Sequence, residues 1–202
     1  MLKKHFLNLI NKYSSDFHFN ENCWSEIEKK YNSKNRYYHN LNHLSNMITE
    51  LEFVKNDIKS LDCILFSTYY HDIIYNTKKS DNEEKSAIFL EKALEKTSFQ
   101  FIDICKNQII ATKNHEESID NDINIFLDLD MSILGQSRAE YIEYCQQIRK
   151  EYNIYPDFFY KKGRKKALLS FLEQERIFKT HFFNKKYEKQ ARQNILSEID
   201  NL

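Results

Sequence analysis

Apolar side chains recur every three to four positions along almost the whole chain, the spacing that puts them on one face of an α-helix. Leu41, Leu44, Ile48, Leu51 and Val54 make one such stripe and predict a helix from about 38 to 55. Ahead of it the pattern predicts helices near 2–14 and 22–31, with Trp24 and Ile27 on a shared face. The next segment, 60–75, differs: Leu61, Ile64, Leu65, Phe66, Tyr69 and Tyr70 leave it little polar surface, so it should be central and buried. Asp81 or Asn82 is a natural N-cap for a following helix, with Glu83 and Glu84 in the first turn where the helix dipole favours them. A helix near 99–112 and a short one capped within 120–122 follow, the latter closing near Gly135 as a left-handed cap. The spans 138–152, 158–179 and 184–201 complete the series, with Pro156 marking a stop.

Composition sharpens this into a fold class. With 2 Gly and 1 Pro the chain nearly lacks the residues that turn hairpins, so an all-α architecture is expected. Its 202 residues suit one domain, 1–202. Thirty basic and thirty acidic residues cancel, so no global field draws the protein to nucleic acid or to an anionic membrane. The run Lys161-Lys162-Gly163-Arg164-Lys165-Lys166 reads as a solvated helix start, with a phosphate or nucleic-acid contact as the minority reading. Cys23, Cys63, Cys105 and Cys145 show no metal-type spacing and suit reduced thiols packed on apolar faces. The first residues contain neither a signal-peptide core nor an apolar span, which predicts a cytoplasmic protein.

Candidate chemistry concentrates in histidine and carboxylate near helix ends. His71-Asp72 closes the apolar segment, His39 and His43 stand four apart upstream, and His115, Asp128 and Asp130 lie downstream. A histidine on an apolar helix is commonly a hydrogen-bonded core residue, but a buried aspartate is costly unless paired or coordinated. The set suits Zn, Mn, Fe or Ni more than Ca or Mg. On a helix Asp128 and Asp130 point to opposite sides, so only one of them should reach an ion. His5, His18 and His181 have no evident partners and read as surface residues.

These residues resemble the HD superfamily of metal-dependent phosphohydrolases, and more narrowly a bacterial branch of predicted members. The likeness is carried by Arg36-Tyr37-Tyr38-His39-Asn40-Leu41-Asn42-His43, Tyr70-His71-Asp72-Ile73-Ile74-Tyr75, Asp81 to Ala87, Ala111 to His115, Leu127 to Gly135, Gly163-Arg164 and Ala191 to Asn194. The resemblance implies an orthogonal bundle of helices with a central metal, a metal-binding core at about 36–135 and C-terminal helices at 138–201 packed on it. It implies His39, His71, Asp72 and Asp130 as ligands, Asp130 being chosen over Asp128 for its spacing to Gly135. His43 then matches a position usually apolar and becomes a supporting or substrate-facing group. His115 resembles the extra histidine of two-metal members.

The activity so implied is hydrolysis of a nucleotide or other small phosphate ester by metal-activated water, with Mn, Fe, Co, Ni, Zn or Mg as one or two divalent ions. Arg36 and Lys113 are expected to hold phosphate charge, Arg36 being equally able to cap the site helix. Tyr75 stands where members often carry an acid, so the leaving-group proton must come from elsewhere, with Glu83, Glu84 or Asp128 as candidates. Two rival classes remain: a di-iron oxygenase, which His115 would suit, and a non-catalytic metal- or nucleotide-binding module. The expected partner is a small phosphorylated substrate, with neither membrane nor nucleic acid, and a homodimer stays open.

Overall fold

Four polar side chains mark where helices begin. Asp16, Asn40, Asp120 and Ser137 each accept a backbone N–H from the turn that follows, and Ser137 forms a full capping box with Glu140. The computed structural model describes residues 1–202 and contains helices without a single strand, an all-α protein. In chain order the helices are α1 (Leu2–Ile10), α2 (Phe17–Tyr31), α3 (Leu41–Leu51), α4 (Leu61–Tyr70) and α5 (Asn82–Leu94). They continue as α6 (Ile102–Ala111), α7 (Asn121–Met131), α8 (Arg138–Glu151), α9 (Asp157–Leu172) and α10 (His181–Asn201). Short 3-10 turns lie at Lys55–Asp57 and Ser132–Gly135.

Two helix ends differ from the apolar pattern in ways that shape the site. The stripe predicted one helix from about 38, but Asn40 caps α3 with extended backbone, so His39 precedes the helix and His43 lies inside it. The apolar run predicted a helix through 75, yet α4 ends at Tyr70. Arg36 takes over there, donating to the carbonyls of Asp72 (2.6 Å) and Ile73 (3.1 Å) that a continued helix would have used internally. Asp72 N–H donates to Tyr31 Oη and Ile74 N–H to Ser86 Oγ, so the unwound segment keeps its polar groups paired.

The apolar core is one cluster that draws on every helix, with Phe6, Trp24, Leu44, Phe66, Tyr69, Phe126, Tyr141, Phe183 and Ile195 all buried. As the pattern predicts, α4 is its centre: every residue from Cys63 to Tyr70 is buried. Gly135 is not a left-handed cap, since no glycine has positive φ. It is required by close approach instead, because a Cβ there would lie 2.3 Å from Tyr187 Cβ on α10. Asn194 clamps the same turn, donating to the carbonyls of Leu134 and Gln136. Cys23, Cys63 and Cys105 are buried free thiols and Cys145 is half-buried. His5 is not a free surface group: its Nδ1 lies 2.9 Å from Tyr69 Oη. No helix is long and apolar enough to cross a membrane.

Candidate metal centre

Three elements deliver donor atoms to one point. His43 comes from the first turn of α3, His71 and Asp72 from the unwound end of α4, and Asp130 from the last turn of α7. His43 Nε2 lies 3.1 Å from His71 Nε2 and 3.1 Å from Asp130 Oδ1. His71 Nε2 lies 3.1 Å from Asp72 Oδ2 and 3.6 Å from Asp130 Oδ1, and the span from His43 Nε2 to Asp72 Oδ2 is 4.0 Å. On a continued helix His71 and Asp72 would diverge by about 100°. The end of α4 at Tyr70 is what lets both side chains reach the same place.

The tautomer of His71 follows from its other nitrogen. Nδ1 is 2.9 Å from the Thr68 carbonyl, which can only accept, so Nδ1 carries the hydrogen and Nε2 offers a lone pair to the centre. Without an ion, burial pushes His71 down, but the carboxylates of Asp72 and Asp130 push it well above the usual histidine range. For Asp130 burial favours the neutral acid, yet hydrogen bonds from His115, His43 and His71 hold it well below the usual carboxylate range. Burial keeps His43 low. Anionic carboxylates facing imidazole nitrogens are a donor set that a divalent cation matches.

The spacing between donors supports the same fit. Bonds of about 2.1 Å separate neighbouring ligand atoms by about 3.0 Å at right angles and about 3.4 Å at the tetrahedral angle, with about 4.2 Å across an octahedron. The observed separations, 3.1 to 4.0 Å, fall within that set. His43, His71 and Asp72 form a group in which every donor pair lies within 4.8 Å, and Asp130 adds a carboxylate oxygen 3.1 and 3.6 Å from the two imidazoles. Access is one-sided: the His43 and His71 side chains are 2% and 1% exposed, against 20% for Asp72, 16% for Asp130 and 15% for His115.

His43 therefore occupies the place that the sequence reading had given to His39. His39 stands beside the centre, its ring centroid 6.0 Å from that of His43. Its Nδ1 lies 2.6 Å from Glu151 Oε2, and Glu151 Oε1 accepts the backbone N–H groups of Tyr37, Tyr38 and His39 itself. Tyr75 stacks on His39 at 4.3 Å and donates its hydroxyl to the same carboxylate. Burial pushes His39 down, but Asp72 and Glu151 more than offset it, leaving its pKa raised. Glu151 was missed in the sequence: it ends α8, far along the chain, and no local pattern distinguishes it from an ordinary helix glutamate.

The remaining predicted residues sort clearly. Asp130 faces the centre, while Asp128 points the other way and accepts from Lys179 N, Thr180 N and Thr180 Oγ, capping the start of α10. Burial pushes Asp128 up to about 6 in spite of those donors. His115 Nε2 lies 3.0 Å from Asp130 Oδ2, and its φ of 52° is the one positive value in the chain. Such backbone costs roughly 1–3 kcal/mol and is held by its surroundings. Arg36 is not free for phosphate, since its guanidinium bonds the carbonyls of His39, Asp72 and Ile73 and lies over the rings of Tyr31 and Tyr75. Lys113 is drawn away by Glu84 and the Ser80 carbonyl, which also removes Glu84 as a proton donor. Glu83 sits in the first turn of α5 with no side-chain bond to the centre; its position is explained by the helix dipole. No family model, curated protein or solved structure matches the chain.

Proposed function

We propose that the protein is a metal-dependent phosphohydrolase acting on a small phosphate ester, a nucleotide being one such substrate. The convergence of His43, His71, Asp72 and Asp130 at donor spacing carries this reading. A bound divalent ion would supply Lewis acidity at a phosphoryl oxygen and lower the pKa of its water from about 15.7 towards about 7. These four side chains would hold the ion, Thr68 orienting His71 and His115 orienting Asp130 through its free oxygen.

His39 is the residue best suited to the leaving group. Glu151 fixes its Nδ1 and favours the imidazolium, which leaves a proton at Nε2 to hold phosphoryl charge and pass to the departing ester oxygen. Arg36 positions rather than binds: it ties the His39 carbonyl to the Asp72 segment and so fixes the distance between proton donor and centre. One observation favours a second reading. Asp130 presents Oδ1 to His43 and His71 and Oδ2 to His115, an arrangement in which one carboxylate could serve two ions, as a di-iron oxygenase would require.

Anaerobic purification with elemental analysis, followed by a phosphate-release screen with added Mn, Fe, Co, Ni, Zn and Mg, tests both. One ion per chain and phosphate release without oxygen is the expected result. Two irons per chain with an oxygen requirement would replace the hydrolase by the oxygenase, and no tight ion at all would sink both.

A further inference from the structure

We propose that the cleft between α8 and α9 is a subsite for a flat aromatic ring carried by the substrate, and that Gly163 sets how large a ring it takes. The inference rests on the phosphohydrolase reading for the identity of the ester, but not for the existence of the cleft. That cleft encloses about 400 Å³, within the range of pockets that hold small organic ligands. It is walled by Tyr144, Tyr152, Tyr155, Phe159 and Tyr160, and His39 forms the end nearest the donor cluster. A ligand group in it would thus abut the residue assigned to the leaving oxygen.

The cleft has the chemistry of a ring site rather than an anion site. Both of its basic groups already have acidic partners: His39 is bound to Glu151 at 2.6 Å, and Arg164 to Glu198 at 2.8 and 3.1 Å and to the Tyr144 hydroxyl at 3.2 Å. What is left is aromatic faces, against which another aromatic ring stacks or packs edge-on. Phe159 is 63% exposed at the mouth, an apolar group that nothing in the fold covers.

Gly163 is the informative residue. It lies in the middle of α9, where glycine weakens a helix relative to alanine, and no packing requires it: a Cβ there would meet no atom within 4 Å. Gly135, by contrast, is forced by Tyr187. Phe159, Gly163 and Ala167 follow at intervals of four and so share the helix face that lines the cleft. Two small residues beyond an aromatic one leave the space open where a bound ring would lie.

The test uses the full-length protein loaded with Mn(II), and the ratio of phenyl to methyl ligands as its readout. Calorimetry with phenylphosphonate and methylphosphonate, which cannot be hydrolysed, should show the phenyl compound binding at least tenfold more tightly. Hydrolysis of phenyl phosphate over methyl phosphate should show a similar preference in KM. Gly163→Leu, at an open helical position, should melt no lower than the wild type and reduce both preferences to near one. Phe159→Ala, at an exposed position, should reduce them several-fold and serves if the leucine variant does not fold. A wild type without phenyl preference, or preferences that survive both substitutions, would overturn the subsite. A phenylphosphonate preference that Gly163→Leu abolishes, in a protein that hydrolyses neither ester, would keep the subsite and reject the hydrolase.

Discussion

His39 and His43 are four residues apart and both imidazoles, yet they have different neighbours, and single substitutions should separate them. His43→Ala removes a donor that faces His71 and Asp130 at 3.1 Å. Metal affinity in a calorimetric titration should fall by more than the about 10–100-fold that loss of a supporting bond brings. His39→Ala should keep metal affinity within about tenfold but lower turnover by about 10²–10⁴, the worth of a positioned proton donor. Matching losses of metal in the two variants would return His39 to the donor set. Asp128 and Asp130 make a second such pair. Asp128→Ala leaves the buried Lys179 N–H and the Thr180 donors unpaired, which should lower unfolding free energy by about 3 kcal/mol in a urea titration while the folded fraction still binds metal. That the two aspartates part company was legible from helical spacing. That His39 lies off the helix was legible only in Asn40, whose preference for the N-cap outweighs the longer apolar stripe.

At the scale of the element, the ends of helices matter more than their middles. The apolar pattern located every helix, because burial of one face decides helix formation and leaves a periodic trace. It overran α4 by several residues, since what ends α4 is Arg36, a side chain from another segment whose reach no local pattern records. The two glycines separate by the same logic of neighbours. Gly135→Ala would put a methyl group 2.3 Å from Tyr187 Cβ, in a turn also clamped by Asn194, and should cost about 1–3 kcal/mol as α10 is forced outward. Thermal unfolding that leaves this variant as stable as the wild type would show that α10 yields without strain. Gly135 does stand at a helix end, as the pattern predicts, but for a different reason. A left-handed cap and a close crossing both select glycine, and only the partner helix tells them apart.

Across the whole molecule, charge pairing welds the C-terminal helices to each other. Arg164 on α9 meets Glu198 on α10 at 2.8 Å, with both side chains largely buried. Burial pushes Glu198 up, but Arg164, Tyr141 and Cys145 hold it below the usual glutamate range. A depressed acid contributes stability above its unfolded value of about 4.3, and that contribution is lost as pH falls through the lower folded value. Glu198→Gln strands the guanidinium and should cost about 3 kcal/mol at pH 7, with a smaller penalty relative to the wild type near pH 3. Unfolding titrations at the two values check this, and a penalty that does not change with pH would place the stabilisation elsewhere. The pairing of Arg164 with Glu198 was not assignable from sequence, because the partners lie more than a turn of helix apart on separate elements.

The carboxylate of Glu151 grips the backbone of Tyr37, Tyr38 and His39 across 112 to 114 positions of chain. Contacts of that separation close slowly, since the intervening chain must be ordered before they can form. During synthesis at about 5–20 residues per second, His39 would wait roughly 6–20 s after its own emergence for Glu151 to appear. His39 thus reaches its position only after Glu151 has emerged, whatever the speed of the helices around it. In refolding from urea, far-ultraviolet circular dichroism should recover first and the Tyr75–His39–Glu151 contact later, the latter followed by a nuclear magnetic resonance signal from labelled histidine. Simultaneous recovery of both would show that the long-range grip forms within the folding nucleus itself.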